Sequence, residues 1–121
     1  MHGVGIDSLD IVRMQRFVDN HRFLSKYFTK YEVEYCNKTV NRTMRMAGIY
    51  CAKEAFLKAL GIGIGGGIPL DEIEVNHNKN GKPIIKLSDA AKRILTIMGF
   101  KEIDISITHT HTTSTAVCVL S

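Results

Sequence analysis

The chain has 121 residues, of which 45% are hydrophobic and 23% charged, and it carries a formal net charge of +4. This composition excludes a disordered chain, and the excess of basic residues favours an anionic partner: nucleic acid, an anionic membrane, a phosphorylated ligand or an acidic protein. The three cysteines are odd in number and far apart, which argues against a disulfide framework and against a structural zinc site.

The N-terminus predicts a short strand followed by a helix. Residues 2–6 alternate weakly and predict a strand that ends at Asp7, and the apolar residues that follow have helical spacing over 8–18. Asp7 takes the position of an N-cap for this helix. The segment lacks the basic stretch and apolar run of a signal peptide, and no window of the chain is apolar enough to span a bilayer, so we expect a cytoplasmic protein.

The middle of the chain predicts two further helices. Thr29 followed three residues later by Glu32 is a capping-box pattern, which opens a helix over 30–37. Residues 41–60 contain no proline, are rich in strong helix formers and end at Gly61, a predicted left-handed cap. The centre of this long helix offers no charged face, so we expect most of it to be buried.

The second half predicts alternating strands and one helix. The elements are a hairpin with strands near 73–75 and 84–87 around a primed turn at Asn80-Gly81, a helix over 88–98 capped by Ser88, a strand over 103–107, and a last strand over 115–120. Pro83 indicates an edge strand or the start of a strand. No repeat or linker interrupts the chain. We therefore expect one α+β domain over residues 1–121, with an antiparallel sheet packed with the long buried helix.

The glycine-rich stretch after the long helix satisfies the letters of the GxGxxG dinucleotide pattern at Gly61, Gly63 and Gly66. That fingerprint requires a strand before it and a helix after it, whereas here a helix precedes it, so we reject the dinucleotide interpretation. Two interpretations stay open: a helix cap with a flexible connection, or a loop that lets backbone approach a ligand.

Two acids and a lysine form the strongest candidate site. Glu54 and Lys58 stand four apart, which is typical of a surface ion pair, but they interrupt a helix that is otherwise apolar, where charges need partners or a metal. Asp7 is either a helix cap or the partner of Glu54 on a neighbouring element. Two carboxylates with waters and ligand phosphates are a common way to hold Mg²⁺.

For two histidines and three arginines the sequence allows more than one role. His109 and His111 are two residues apart, and without a third ligand nearby they are either turn residues or contacts to a ligand phosphate or base. Arg13, Arg16 and Arg22 belong to a basic N-terminal third that is either a solvated face, a docking surface for an acidic protein or a nucleic-acid contact.

Three motifs resemble those of the 4′-phosphopantetheinyl transferases. Gly5-Ile6-Asp7 with Arg13 six residues on resembles their GxDxxxxxR opening, and residues 52–59, which include Lys53 and Glu54, resemble their KEAxxKA helix. Residues 105–110 resemble their SISHT strand end. Order, spacing and length agree with the short branch, the holo-[acyl-carrier-protein] synthases, over residues 3–120.

This resemblance implies a homotrimer with active sites between subunits, which transfers 4′-phosphopantetheine from coenzyme A to a serine of an acyl carrier protein in fatty acid biosynthesis. It implies no nucleic-acid or membrane partner. The implied roles are Mg²⁺ binding by Asp7 and Glu54, charge stabilisation by Lys58, carrier docking by Arg13, Arg16 and Arg22, and nucleotide contacts from Gly61, Gly63, Gly65 and His109.

Three positions depart from the pattern of the family. Ile49 stands where an arginine is usual, Ile62 where a threonine is usual, and Thr108 replaces a serine. Arg45, one helical turn before Ile49, is the candidate to make the missing phosphate contact. Two other hypotheses stay open: a basic nucleic-acid-binding module, and an inactive carrier-binding protein of the same fold.

Overall fold

A computed structural model describes residues 1–63 and 66–121. The elements are β1 Gly3–Asp10, α1 Ile11–Gln15, α2 His21–Tyr27, α3 Lys30–Asn37, α4 Arg42–Leu60, a 3-10 helix Leu70–Glu72, β2 Ile73–His77, β3 Pro83–Leu87, α5 Asp89–Ile97, β4 Ile103–His109 and β5 Thr113–Leu120. This mixture of helices and antiparallel strands confirms the predicted α+β class.

The strands form two antiparallel sheets rather than the one expected from the sequence. In the larger sheet the order is β1-β5-β4, with β1 paired along its whole length from Gly3 opposite Leu120 to Asp10 opposite Thr113. The smaller sheet is the β2-β3 hairpin. The central strand β5 therefore joins both ends of the chain into one sheet.

Helix α4 lies against one face of the three-stranded sheet, as its apolar centre predicts. Twelve of its residues are buried, and it ends at Gly61, whose φ of 82° is the predicted left-handed cap. Strand β1 approaches the helix closely, because a Cβ on Gly5 would lie 2.0 Å from the carbonyl oxygen of Ala55. The glycines of β1 thus allow strand and helix backbones to meet.

The other face of the same sheet carries exposed apolar side chains. Val4 is 66% exposed, Ile6 is 60% exposed and Val119, beside them on β5, is 37% exposed.

None of the helices in the described part of the chain has both the length and the apolar composition of a membrane span.

The N-terminal prediction was wrong in two respects. Strand β1 continues to Asp10, so the helix predicted over 8–18 shrinks to Ile11–Gln15, and Asp7 is a strand residue rather than an N-cap. Pairing with β5 continues through eight residues of β1, and a backbone held in a ladder cannot start a helix. Helix α2 was not predicted; its N-cap is Asn20, whose side chain accepts a hydrogen bond from the Phe23 amide.

The hairpin is confirmed, but its turn is not a primed one. Neither Lys79 nor Asn80 has a positive φ; the Gly81 amide donates to the carbonyl of Asn78, and only Gly81 takes a left-handed conformation, with φ 81°. A five-residue loop, 78–82, is long enough to use an ordinary turn followed by one left-handed residue. The predicted capping box at Thr29 and cap at Ser88 are both formed.

Candidate active site

Strand β1 and helix α4 bring Asp7 and Lys58 together. The Lys58 ammonium donates to Oδ1 of Asp7 at 3.0 Å and to the carbonyl oxygen of Ile6 at 3.1 Å. The Asp7 side chain is 15% exposed and that of Lys58 is 53% exposed. Residues 3, 5 and 7 share one face of β1, so the face whose glycines approach α4 also carries Asp7 toward it.

Glu54 lies one helical turn before Lys58 on α4 and interacts with the same pair. Burial, followed by the negative charge of Asp7, raises the pKa of Glu54 above its ordinary value, while Tyr50 and Lys58 oppose this rise. The hydrogen bond to Asp7, together with its charge, raises the pKa of Lys58, which therefore stays cationic at neutral pH. Two acids and one lysine leave this group, which we call the acid–lysine cluster, with an excess negative charge.

The donors of the acid–lysine cluster fit a hard divalent cation. Asp7 and Glu54 offer carboxylate oxygens, which Mg²⁺ prefers, and a cation would compensate the repulsion that raises the pKa of Glu54. Among the described residues no group of three or more His, Cys, Asp or Glu side chains could form a complete protein cage for a metal. Water and substrate phosphates would have to supply the other ligands, as is usual for Mg²⁺.

The side chains around the cluster stay protonated at neutral pH. Burial is the main cause that raises the pKa of Tyr50 to about 12, with Glu54 adding to it. Burial likewise raises the pKa of Cys51 to about 12, followed by the charge of Asp7. A protonated and fully buried thiol is a poor nucleophile.

The glycine-rich stretch begins directly beyond Lys58. The Gly61 amide donates to the carbonyl of Lys58 at 3.0 Å and the Ile62 amide donates to that of Leu57 at 3.0 Å, which closes the C-terminus of α4. Gly63 is exposed, and a side chain there would meet none of the described residues within 4 Å. Gly65, the third predicted loop contact, lies outside the described residues.

Arg45 and His109 form a second group, separate from the acid–lysine cluster. Both line a cavity of about 150 Å³, whose wall also includes Ile49 and His77. Arg45 and Glu54 are about two and a half turns apart on α4, which places them on opposite sides of the helix axis. On this chain, Arg45 and His109 are therefore separated from Glu54 and the acid–lysine cluster.

Sequence reasoning missed His77 in this cavity. Its ring stacks on Tyr35 with centroids 4.1 Å apart, and among the described residues its buried Nδ1 has no hydrogen-bond partner. Burial, followed by the charge of Arg45, lowers the pKa of His77, so the ring is neutral at pH 7. A single histidine in a hairpin strand carries no motif, and only the packing of α3 and α4 brings it to the cavity.

The predicted docking residues are all exposed. Arg13 lies in α1, Arg16 follows it and Arg22 lies in α2. In the described part of the chain none of the three forms an ion pair; Arg16 lies over the ring of Phe17 at 5.8 Å. Their charges are free to meet an acidic surface.

Comparisons with known protein sequences all point to the same family. The sequence profile of the 4′-phosphopantetheinyl transferase superfamily matches residues 3–118. The holo-[acyl-carrier-protein] synthase of Syntrophus aciditrophicus is 39% identical over 122 residues, which cover 99% of this chain and 95% of that protein. The corresponding protein of Geotalea daltonii is 37% identical over 122 residues, covering 99% of this chain and 98% of its own length.

Comparisons with solved structures point to the same family. The holo-[acyl-carrier-protein] synthase of Neisseria meningitidis superposes with a TM-score of 0.90 at 26% identity, over 98% of this chain and 97% of that chain. The enzyme of Helicobacter pylori, solved in complex with coenzyme A, gives a TM-score of 0.86 at 28% identity, over 98% and 99% of the two chains.

Proposed function

The chain belongs to the 4′-phosphopantetheinyl transferase superfamily, among the holo-[acyl-carrier-protein] synthases, and on this premise we propose that it modifies an apo acyl carrier protein. It transfers the 4′-phosphopantetheine group of coenzyme A to a serine of the carrier and releases adenosine 3′,5′-bisphosphate. We treat residues 1–121 as one transferase domain with a role in fatty acid biosynthesis in the cytoplasm.

The observation that carries this proposal is the acid–lysine cluster. Asp7 and Glu54 would hold Mg²⁺, which when bound supplies positive charge next to the pyrophosphate of coenzyme A. The Lys58 ammonium, oriented by its bonds to Asp7 and to the backbone, would face the phosphoryl oxygens that gain charge as the carrier serine attacks. Most of the catalytic effect would then come from positioning and electrostatics, as is typical of phosphoryl transfer.

The separation of the two groups on α4 supports an active site between subunits. Within one protomer, Arg45 and His109 lie on the side of the helix opposite to Glu54. We propose that one coenzyme A molecule receives the acid–lysine cluster from one protomer and contacts with Arg45 and His109, together with those of the glycine-rich stretch, across a subunit boundary. In place of the usual arginine at Ile49, Arg45 would contact a nucleotide phosphate.

The open face of the three-stranded sheet supports the homotrimer. Val4 and Ile6 are mostly exposed on β1, and apolar groups of this kind on a sheet face mark an interaction surface. In the proposed trimer these faces pack against one another. The exposed arginines Arg13, Arg16 and Arg22 remain outside the sheet and would dock the acidic carrier.

The test is transfer to a purified carrier. Incubation with Mg²⁺ and coenzyme A should add about 340 Da, the mass of the phosphopantetheine group, to an apo acyl carrier protein measured by intact mass spectrometry. A carrier whose acceptor serine is replaced by alanine should gain nothing. If the apo carrier also gains no mass although it binds the protein, the transferase proposal is wrong and an inactive carrier-binding protein of this fold is favoured.

A further inference from the structure

Lys53, the residue before Glu54, is buried completely. Its side chain and that of Glu32 are both 0% exposed, and Nζ of Lys53 lies 2.6 Å from Oε1 of Glu32. Burial of a charged pair costs free energy unless every donor and acceptor of the pair finds a partner. The remaining contacts of the two side chains therefore indicate what the pair does.

All three N–H donors of the Lys53 ammonium are in use. Besides Glu32, Nζ donates to the carbonyl oxygen of Tyr27 at 2.7 Å and to that of Leu70 at 2.9 Å. An ammonium group has three donors, so none is left for a substrate phosphate. Although Lys53 is the sequence neighbour of Glu54, it does not bind ligand.

Glu32 is equally saturated with partners. Its Oε1 accepts a hydrogen bond from the Thr29 amide at 2.8 Å and its Oε2 accepts one from the Val75 amide at 2.6 Å. The carboxylate thus belongs at once to the capping box of α3 and to strand β2. It gives Lys53 a fixed anchor that is joined to two other elements.

The bond to Leu70 ties to α4 the start of the 3-10 helix, which follows the glycine-rich stretch. The start of the stretch is also tied to α4, because the amides of Gly61 and Ile62 donate to carbonyl groups in the last turn of the helix. Lys53 thus fixes the point at which the chain returns from the stretch to the helix that carries Glu54 and Lys58. The carbonyl of Leu70 is main chain, so in this contact the side chain that can be varied is Lys53.

We propose that Lys53, held by Glu32, is a positioning residue for the binding of coenzyme A, because it fixes the chain at Leu70, just after the glycine-rich stretch. The inference rests on the proposed function and adds a determinant of substrate affinity outside the groups that touch substrate. Loss of the pair would release the chain at Leu70 while leaving Asp7, Glu54 and Lys58 in place. Coenzyme A would then bind more weakly, with little change in the chemical step.

The double variant Lys53→Met/Glu32→Gln tests this, because it removes both charges together and leaves neither buried alone. We expect KM for coenzyme A to rise about tenfold while kcat changes less than about threefold, the signature of lost ground-state binding. Hydrogen exchange of the amides of Glu72 and Ile73 should accelerate, and that of amides in the middle of α4 should not. The Glu72 amide donates to the carbonyl of Pro69 and the Ile73 amide donates to that of Leu70, which also accepts from Lys53.

The matched control is Phe56→Leu, which trims a fully buried side chain of the same helix but removes neither the ion pair nor any hydrogen bond of Lys53 and Glu32. If this control loses as much Tm as the double variant, it should still leave KM for coenzyme A and the hydrogen exchange of the Glu72 and Ile73 amides unchanged. If the control and the double variant behave alike, the pair only stabilises the fold and the inference fails.

Exchange in the wild-type protein gives a second test, which stands even if the double variant does not fold. Without coenzyme A, the amides of Ile73 and Val75 should exchange as slowly as those inside α4, since the acceptor of the first, Leu70, is held by Lys53 and the acceptor of the second is Glu32. Fast exchange at these amides would overturn the inference. This measurement needs no transfer activity, so its outcome is separate from that of the mass-gain assay.

Discussion

Replacement of Gly5 by alanine should damage both stability and transfer, because it forces β1 away from α4. An added Cβ would lie 2.0 Å from the carbonyl oxygen of Ala55 and 2.5 Å from the amide nitrogen of Ala59. Both are main-chain atoms, so no side chain can move aside. To reach an ordinary contact near 3.4 Å, the strand must retreat by about 1.4 Å.

The cost follows from two opposing effects. Overpacking that shifts backbone costs about 1–3 kcal/mol, whereas glycine-to-alanine changes stabilise by about 0.4–1 kcal/mol through the unfolded chain. We expect a net loss of about 1–2 kcal/mol, or roughly 4–8 °C in Tm for a chain of this size. Asp7 lies on the same face two residues on, and a displacement of about 1 Å in a catalytic group can cost roughly 10²-fold in rate.

The assay is thermal unfolding followed by transfer to apo carrier, and Gly63→Ala is the control for the unfolding measurement alone. Among the described residues nothing lies within 4 Å of a Cβ at Gly63, and its φ is outside the left-handed region, so we expect only the effect on the unfolded chain and a variant as stable as the wild type or slightly more. If Gly5→Ala melts no lower than Gly63→Ala, or transfers at the wild-type rate, the close approach of β1 to α4 is not what positions Asp7.

Three further outcomes follow from the site and the surfaces. Because burial and Asp7 raise the pKa of Glu54, the folded state binds that proton more tightly than the unfolded state, and stability falls as pH rises through the window above the ordinary value of 4.5. Glu54→Gln should remove this fall in a pH series of melting curves and raise Tm at pH 7, while transfer drops roughly 10²–10³-fold; an unchanged pH profile would contradict the assignment. If the proposed trimer forms through the open sheet face, Ile6→Lys, which places a charge there, should shift sedimentation from trimer to monomer, and a trimer that persists would place the interface elsewhere. Arg13→Glu/Arg16→Glu should raise KM for the acyl carrier protein and flatten its salt dependence without changing KM for coenzyme A, and an equal rise for both substrates would rule out a docking role.

The sequence predicts best those elements whose signals are local. The long helix α4, the capping box at Thr29 and Glu32 and the cap at Ser88 depend on residues within a few positions of each other, and all three are confirmed. The three-residue spacing from Thr29 to Glu32 is the spacing that a capping box requires, so the sequence is enough to predict its hydrogen bonds.

The predictions that failed concern contacts between residues far apart in the chain. Asp7 was predicted as a helix cap because the apolar spacing after it is helical, but pairing with Ala116 on β5 keeps it in a strand. Lys53 likewise gave no sign that its partner is Glu32, 21 positions earlier, because the same glutamate already satisfied a complete local pattern as a capping residue. When one side chain bonds to two elements, the sequence pattern reveals only the bond to the element that is close in the chain.

The opening motif shows how a distant contact can nevertheless be inferred from a short pattern. Residues two apart in a strand share a face, so Gly5 and Asp7 both point toward α4. The absence of a side chain at the first position lets the strand touch the helix backbone, and the carboxylate at the second position then reaches Lys58 at 3.0 Å. A larger residue at position 5 would hold the acid away from the lysine even though both functional residues were kept. The glycine is therefore as much a part of the site as the charges it brings together.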